Sequence, residues 1–161
     1  MLLAGLAVVA VLLVLLFTGT KGARLRLEGR ILKVRVLALS GSDASLVMVD
    51  FRVTNPSDVL FVVNSIQVRI EPASGESVVV GATIAKPDID NVFQYAKLLG
   101  PKYSDVLGMR DRLAPRQTLD RMVGARFEMP EAAVNARKSL QLEIEDVDGT
   151  VAVMSGKGAG Q

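Results

Sequence analysis

The chain has 161 residues, with 19 basic and 17 acidic side chains and a net charge of +2. It holds no Cys, His or Trp. That excludes disulfides, thiol nucleophiles and thiolate metal sites, and it removes the commonest general base and metal ligand. Catalysis is not expected, nor is any cofactor or metal.

Residues 1–20 carry no charge, and Leu2 to Phe17 is a run of Leu, Val and Ala broken by Gly5. About 20 such residues suffice for a helix to cross the hydrocarbon core. The reading is a membrane anchor over 1–20, made by Leu2, Leu3, Leu6, Val9, Leu12, Leu15 and Phe17. A secretory signal peptide would carry a basic region before the apolar run and a small-x-small cleavage site. No Lys or Arg precedes Leu2, and Thr18-Gly19-Thr20 alone resembles such a site. Ala4, Gly5, Ala7 and Ala10 give the helix a flank of small residues that permits close helix approach.

A basic stretch follows: Lys21, Arg24, Arg26, Arg30, Lys33 and Arg35. Six cations against Glu28 give +5 between Lys21 and Arg35. The whole chain carries +2, so the remainder carries −3. We read Lys21, Arg24, Arg26 and Arg30 as a collar for anionic headgroups. Basic residues flanking a span favour the cytoplasmic side, which places the domain there on the inner membrane; the periplasm is the alternative.

The domain is expected over 21–154. From Leu25 apolar residues alternate with charged ones, and a phase change at Ile31-Leu32 signals a bulge. Ser40-Gly41-Ser42-Asp43 is a turn. Ala44 to Thr54 is a second strand, stopped by Asn55-Pro56. Val59 to Glu71 is a third, and its apolar start, Val59 to Val63, predicts burial on both faces. Ala73-Ser74-Gly75-Glu76 closes a hairpin onto a fourth strand, Ser77 to Ile84.

The stretch 86–109 breaks this rhythm. Asp88 is expected to cap a helix whose Ile89, Val92, Phe93 and Ala96 share one face. Gly100-Pro101 ends it, and a further helical turn is expected over Ser104 to Leu107. A fifth strand over Gln117 to Glu128 places Leu119, Met122 and Phe127 inward, and Pro130 to Lys138 reads as a short helix. Ser139 to Asp146 alternates cleanly, Asp148-Gly149 marks a hairpin, and Thr150 to Met154 is the last strand. Residues 155–161 read as a loose, Gly-rich tail. Seven short strands with turn signals between them predict an all-β fold, an immunoglobulin-like antiparallel β-sandwich with a helical insertion, behind one transmembrane helix.

The series Phe51-Arg52-Val53-Thr54-Asn55-Pro56, the long Val/Ile strand after it and the Gly-bearing hairpin resemble the group-two late-embryogenesis-abundant, or water-stress, domain. Met129-Pro130 and Leu140 to Gly149 are similar to that family's end. The resemblance covers residues 25–85 and 117–154. It implies a non-enzymatic immunoglobulin-like sandwich, often membrane-tethered. The insertion departs from the pattern.

Other candidates have plainer explanations. Asp88, Asp90 and Asn91 suit a helix start, and Glu143 and Glu145 are outward positions of a strand. Ser104-Asp105 and Lys102-Tyr103 lack a triad partner. No Gly-rich loop offers a phosphate cradle. Arg110, Arg112, Arg116, Arg121 and Arg126 suit a protein interface better than nucleic acid, since acids interleave with them and aromatics do not.

The expected function is a non-catalytic, single-pass membrane protein whose sandwich is a binding or scaffolding module, an accessory subunit of a larger bacterial membrane complex. A stand-alone water-stress-type protective protein is the alternative. Expected partners are membrane lipids and other integral membrane subunits; no small-molecule substrate is evident. The insertion is expected to face the partner through Tyr95, Leu98, Leu99 and Tyr103 and to be dispensable for the sandwich.

Overall fold

A computed structural model of the chain describes residues 26–157. The expected anchor (Leu2, Leu3, Leu6, Val9, Leu12, Leu15 and Phe17), the collar residues Lys21 and Arg24, and 158–161 lie outside the described residues. Within them no helix is long and apolar enough to cross a membrane.

The elements in chain order are β1 (Glu28–Ala38), β2 (Ser45–Thr54), β3 (Phe61–Glu71), β4 (Val79–Val80), β5 (Ala82–Thr83), α1 (Lys86–Tyr95), a 3-10 turn (Lys97–Leu99), β6 (Asp105–Val106), β7 (Arg112–Leu113), β8 (Thr118–Phe127), α2 (Glu131–Asn135), β9 (Ser139–Asp146) and β10 (Val151–Lys157). They form two five-stranded sheets. Sheet 1 runs β1-β2-β8-β5, with β6 also on β8; sheet 2 runs β10-β9-β3-β4, with β7 also on β3. All ladders are antiparallel except β6 with β8. The architecture is a β-sandwich.

The alternation in β1 changes phase as expected. Its register against β2 shifts between Ile31 and Lys33. The extra residue, Leu32, keeps Ile31 before it and Val34 and Val36 after it on the core face. Without that bulge the second half of the strand would present its cations inward. Phe51, Val53, Phe61, Val68, Phe127, Leu142 and Ile144 fill the space between the sheets and are at most 1% exposed.

The expected fourth strand is two pieces. β4 pairs with β3 in sheet 2, and β5 pairs with β8 in sheet 1. The chain changes sheets at Gly81, whose N–H donates to the Val68 carbonyl at 2.9 Å. A Cβ there would fall 2.6 Å from Phe127 Cζ and 2.9 Å from Ala125 Cβ. Only glycine fits this crossing, which carries the chain from one sheet to the other.

Other expectations need correction. Val59 and Leu60 are exposed, at 60% and 40%; burial begins at Phe61. Asn55 ends β2 by chemistry as well as propensity: its Nδ2 donates to the Val59 and Leu113 carbonyls and its Oδ1 accepts from Ser57 N–H. Asp88 does not cap α1, because the helix starts earlier, at Lys86-Pro87, with Ala85 at the cap position and no side-chain cap. Ser104 to Leu107 holds no helical turn but strand β6, which runs parallel to β8. The last strand does not stop at Met154, since Ser155, Gly156 and Lys157 continue the ladder opposite Gln141, Leu140 and Ser139. With β6, β7 and the split fourth strand, the described residues hold ten strands where seven were expected.

The crossing yields a prediction. Gly81→Ala forces a methyl into the Phe127 ring, and overpacking of this kind costs about 1–3 kcal/mol. The urea midpoint of the purified chain is expected to fall accordingly. An unchanged midpoint would show that the Phe127 ring moves aside freely.

Candidate functional site

β2 explains why the segment after β5 exists. Its residues are buried on alternate faces from Ser45 to Phe51. Val47, Val49, Phe51 and Val53 point into the sandwich, while Leu46 and Met48 point to the opposite face of sheet 1. Met122 of β8 joins them there. This second apolar face needs its own cover. The cover is α1 and the 3-10 turn, which contribute the buried Ile89 and Leu99, with Ile84, Val92, Phe93 and Ala96 partly buried around them; Val106 of β6 joins the cluster from the sheet itself. The lid sits close because β8 has Gly124 below Ile89: a Cβ at that position would lie 3.0 Å from Ile89 Cδ1.

One polar assembly lies under the lid. Arg35 of β1 is 7% exposed and Asp50 of β2 is 4% exposed. Arg35 Nη2 donates to Asp50 Oδ2 at 2.7 Å. Its Nη1 donates to the carbonyls of Leu99 at 3.0 Å and Pro101 at 2.8 Å. The Phe93 ring centroid lies 4.7 Å from the guanidinium carbon and that of Tyr103 lies 5.5 Å from it. Thus one cation pins the lid to sheet 1 on either side of Gly100, where the 3-10 turn ends. Arg35 Nε and Asp50 Oδ1 have no partner among the described residues. Arg35 was counted in the basic stretch after the apolar run; it is instead a buried structural residue. The signal for it was in β2, where Asp50 is the one acid inside an apolar strand.

The sequence-predicted site residues separate into two groups. Tyr95, Leu98 and Tyr103 are exposed at 79%, 92% and 65%. They lie on the outer surface of the lid, and Tyr103 also stands 5.4 Å from Lys33 Nζ, ring centroid to nitrogen. Leu99 does not belong with them. It is 4% exposed and packs into the cluster beneath the lid. The insertion is therefore not dispensable: removing 88–107 would strip the cover from Leu46, Met48, Met122 and the Arg35–Asp50 pair. Of the collar residues, Arg26 and Arg30 are both exposed. Arg30 stands in one row with Arg52 and Asp120 across sheet 1.

Three of the acidic residues near the last hairpin are engaged, and Asp148 in its turn is exposed. Glu143 pairs with Arg69, Glu145 Oε2 accepts from Ser65 Oγ, and Asp146 Oδ1 accepts from Val62 N–H. Asp90 pairs with Lys102. Among the described residues no group of three or more Asp or Glu could hold a metal ion. The arginines of 110–126 are dispersed: Arg116 pairs with Asp58 and Arg126 with Glu128. Two hollows remain. One of about 290 Å³ is polar, between Lys102, Tyr103, Asp105, Asp120 and Arg121. The other, about 570 Å³ and mostly apolar, lies at the edges of β3 and β8 between Ile66, Val80, Ile84, Leu107 and Met109.

Two exposed ion pairs shift their carboxyls. A hydrogen bond from Arg52 holds Asp120 below the ordinary carboxylate range, with a smaller contribution from the charge of Arg30. A hydrogen bond from Arg116 does the same for Asp58. A depressed folded pKa adds stability above the unfolded value, about 3.9. That stability is lost as pH falls through the lower folded value. Both pairs are solvent-exposed and salt-screened, so their share is small.

No family model matches the chain, and no curated protein matches it. Two solved structures are similar to it. One is an uncharacterized β-sandwich protein from Clostridium difficile 630, 12% identical, with a TM-score of 0.42 over 82% of this chain and 86% of that one. The other is an X-ray structure of a Northeast Structural Genomics Consortium target, 12% identical, with a TM-score of 0.41 over 84% of this chain and 86% of that one.

The Arg35 assembly can be tested as a unit. Arg35→Ala leaves Asp50 buried and unpaired, and breaking a buried pair from one side costs about 3–5 kcal/mol. Replacing both, as Arg35→Met with Asp50→Leu, is expected to recover most of that loss. Denaturant midpoints of the two variants and the native chain check this. Equal destabilisation by the single and double variants would show that the bonds to the Leu99 and Pro101 carbonyls carry the effect, not the ion pair.

Proposed function

We propose that the chain is a non-catalytic, membrane-tethered binding module whose lid recognises another membrane-protein subunit. The observation that carries this reading is the contrast on the lid itself. Its inner side is clamped by Arg35 and packed with Ile89 and Leu99, while its outer side presents Tyr95 and Leu98 to solvent. Large apolar groups held on a fixed backbone are ordered before binding, so docking onto them forfeits little conformational entropy. Tyr is enriched at protein interfaces and among the residues that dominate their energy. The apolar run Leu2 to Phe17 supports the tether.

The strand order supports the finer assignment to the immunoglobulin-like type. Taking β1, β2, β3, β4, β5, β8, β9 and β10 as A, B, C, C′, D, E, F and G gives A-B-E-D in one sheet and G-F-C-C′ in the other. The second reading, a free-standing water-stress-type protein, draws on the same topology and on Asn55, which is fully buried and ties together the β2–β3 loop and the β7 end. That residue supports the fold of the resemblance and is silent on its role.

The two readings differ in a purification. The full chain, extracted from membranes in mild detergent, is expected to carry a membrane-protein subunit with it. Tyr95→Glu with Leu98→Glu is expected to weaken that association at least about tenfold, as loss of a hot-spot contact worth 2 kcal/mol or more would. Its unfolding midpoint should match that of the native chain, because both side chains are solvent-exposed. A double variant that retains the subunit would exclude the lid as the docking face. A native chain that elutes alone would favour the stress-protein reading.

A further inference from the structure

One end of the sandwich gathers features that no lid function uses. β1 and β10 lie side by side and run in the same direction. A Cβ at Gly29 would fall 2.7 Å from Met154 Sδ, and one at Gly156 would fall 3.1 Å from Ile31 Cδ1. By this offset Arg26 lies level with Val151, beside the Val147–Thr150 turn. Glu28 also pairs with Thr54, the last residue of β2. The β2–β3 loop, the β9–β10 turn and the start of the described chain therefore share one end.

That end exposes Val59 at 60%, Leu60 at 40% and Val147 at 58%, with Val151 at 43% beside the turn. They sit together. Val147 N–H donates to the Val62 carbonyl at 3.1 Å, and Asp146 Oδ1 accepts from Val62 N–H at 2.8 Å. The Val59 carbonyl accepts from Asn55 Nδ2 at 2.8 Å and from Ser57 Oγ at 3.0 Å. The apolar groups project from loops whose nearby backbone groups already have partners, which is what entry into an interface poor in water requires.

We infer that Val59, Leu60 and Val147 insert into the lipid interface and set the domain upright on the bilayer. This rests on the reading of Leu2 to Phe17 as a tether. The length of chain outside the structure identifies the occupant. From Thr20, the last residue of the uncharged run, to Arg26 there are six residue steps, and six steps span at most about 20 Å. The loop end is thus confined beside the surface from which the tether emerges. A contact confined in this way acts at an effective concentration on the order of millimolar. Leu27, 4% exposed in the core, fixes the point of departure. Charge at this end is mixed. Asp58 is neutralised by Arg116, while Arg26, Glu28 and Asp148 are exposed. Apolar contact therefore drives the insertion, and salt should not reverse it.

The absence of Trp from the chain makes a direct test available. Val147→Trp places a unique reporter at the turn, and Val59→Trp places one on the neighbouring loop. The full chain is reconstituted in phosphatidylethanolamine–phosphatidylglycerol vesicles with brominated acyl chains. Both reporters are expected to emit to the blue of a water-exposed Trp and to be quenched, at low and high salt alike. A Leu98→Trp reporter on the lid should escape quenching. Adding Leu60→Ser and Val59→Ser to Val147→Trp should abolish most of the quenching. Flotation of the vesicles separates the two ways to fail. Chain that floats with unquenched loop reporters overturns the insertion and leaves the tether standing. So does chain whose lid reporter is quenched as strongly as the loop. Chain that does not float overturns the tether and the insertion with it.

Discussion

Beneath the lid, sheet 1 is apolar on both faces, and most of the architecture follows from that. A sandwich sheet normally shows one face to its partner and the other to water. Here β2 alternates between two hydrophobic clusters, with Val47, Val49, Phe51 and Val53 on one and Leu46 and Met48 on the other. Left open, the second face would be an exposed apolar patch. α1 and the 3-10 turn cover it. Sheet 2 shows the ordinary arrangement: the outward residues of β3 and β9 are polar and bond one another, as in Arg69–Glu143, Ser65–Glu145 and Ser139–Glu71.

Within the lid interface the Arg35–Asp50 pair is a device for position more than for energy. Burying an ion pair roughly balances desolvation against attraction, and an apolar pair of like volume can do as well. What an apolar pair cannot do is select the Leu99 and Pro101 carbonyls, at 3.0 and 2.8 Å from one nitrogen. Leu99 and Pro101 flank Gly100, whose φ of +72° turns the chain where the 3-10 turn ends. The pair therefore fixes the lid where its helical half gives way to extended chain, and the rings of Phe93 and Tyr103 shield it.

Local signals in the sequence carried the strands and turns. The phase change at Ile31-Leu32 is a bulge, Asn55-Pro56 stops a strand, Ser139 to Asp146 forms a strand with those same ends, and Gly149 turns the last hairpin at φ +80°. The inward face of α1 was also legible from the spacing of Ile89, Val92, Phe93 and Ala96. The remaining features depend on contacts between residues distant in sequence. Leu99 and Leu98 are neighbours of identical chemistry, and only the 3-10 turn decides which is buried. Arg35 resembles the other cations after the apolar run, and only the strand pairing of β1 with β2 brings it to Asp50. The change of sheet at Gly81 leaves no periodic trace, because two residues on each side are too few to show one.

On the proposed reading of the lid as a docking face, the geometry also limits what kind of partner it would meet. From Arg26 to Arg35 there are nine residue steps through the first residues and β1, one of them in a bulge. At about 3.3 Å per step the lid's anchor point lies roughly 30 Å from the loop end. An upright domain would carry Tyr95 and Leu98 about that far from the bilayer surface. A subunit confined to the hydrocarbon core cannot reach them. The complementary surface would have to belong to a subunit with its own structure projecting from the membrane on the same side. A domain lying flat would instead bring the lid down to the headgroups and make Tyr95 and Leu98 lipid contacts. The apolar residues at the loop end thus bear on the lid's function as well: by holding the sandwich upright they would keep the lid facing water and free for a protein.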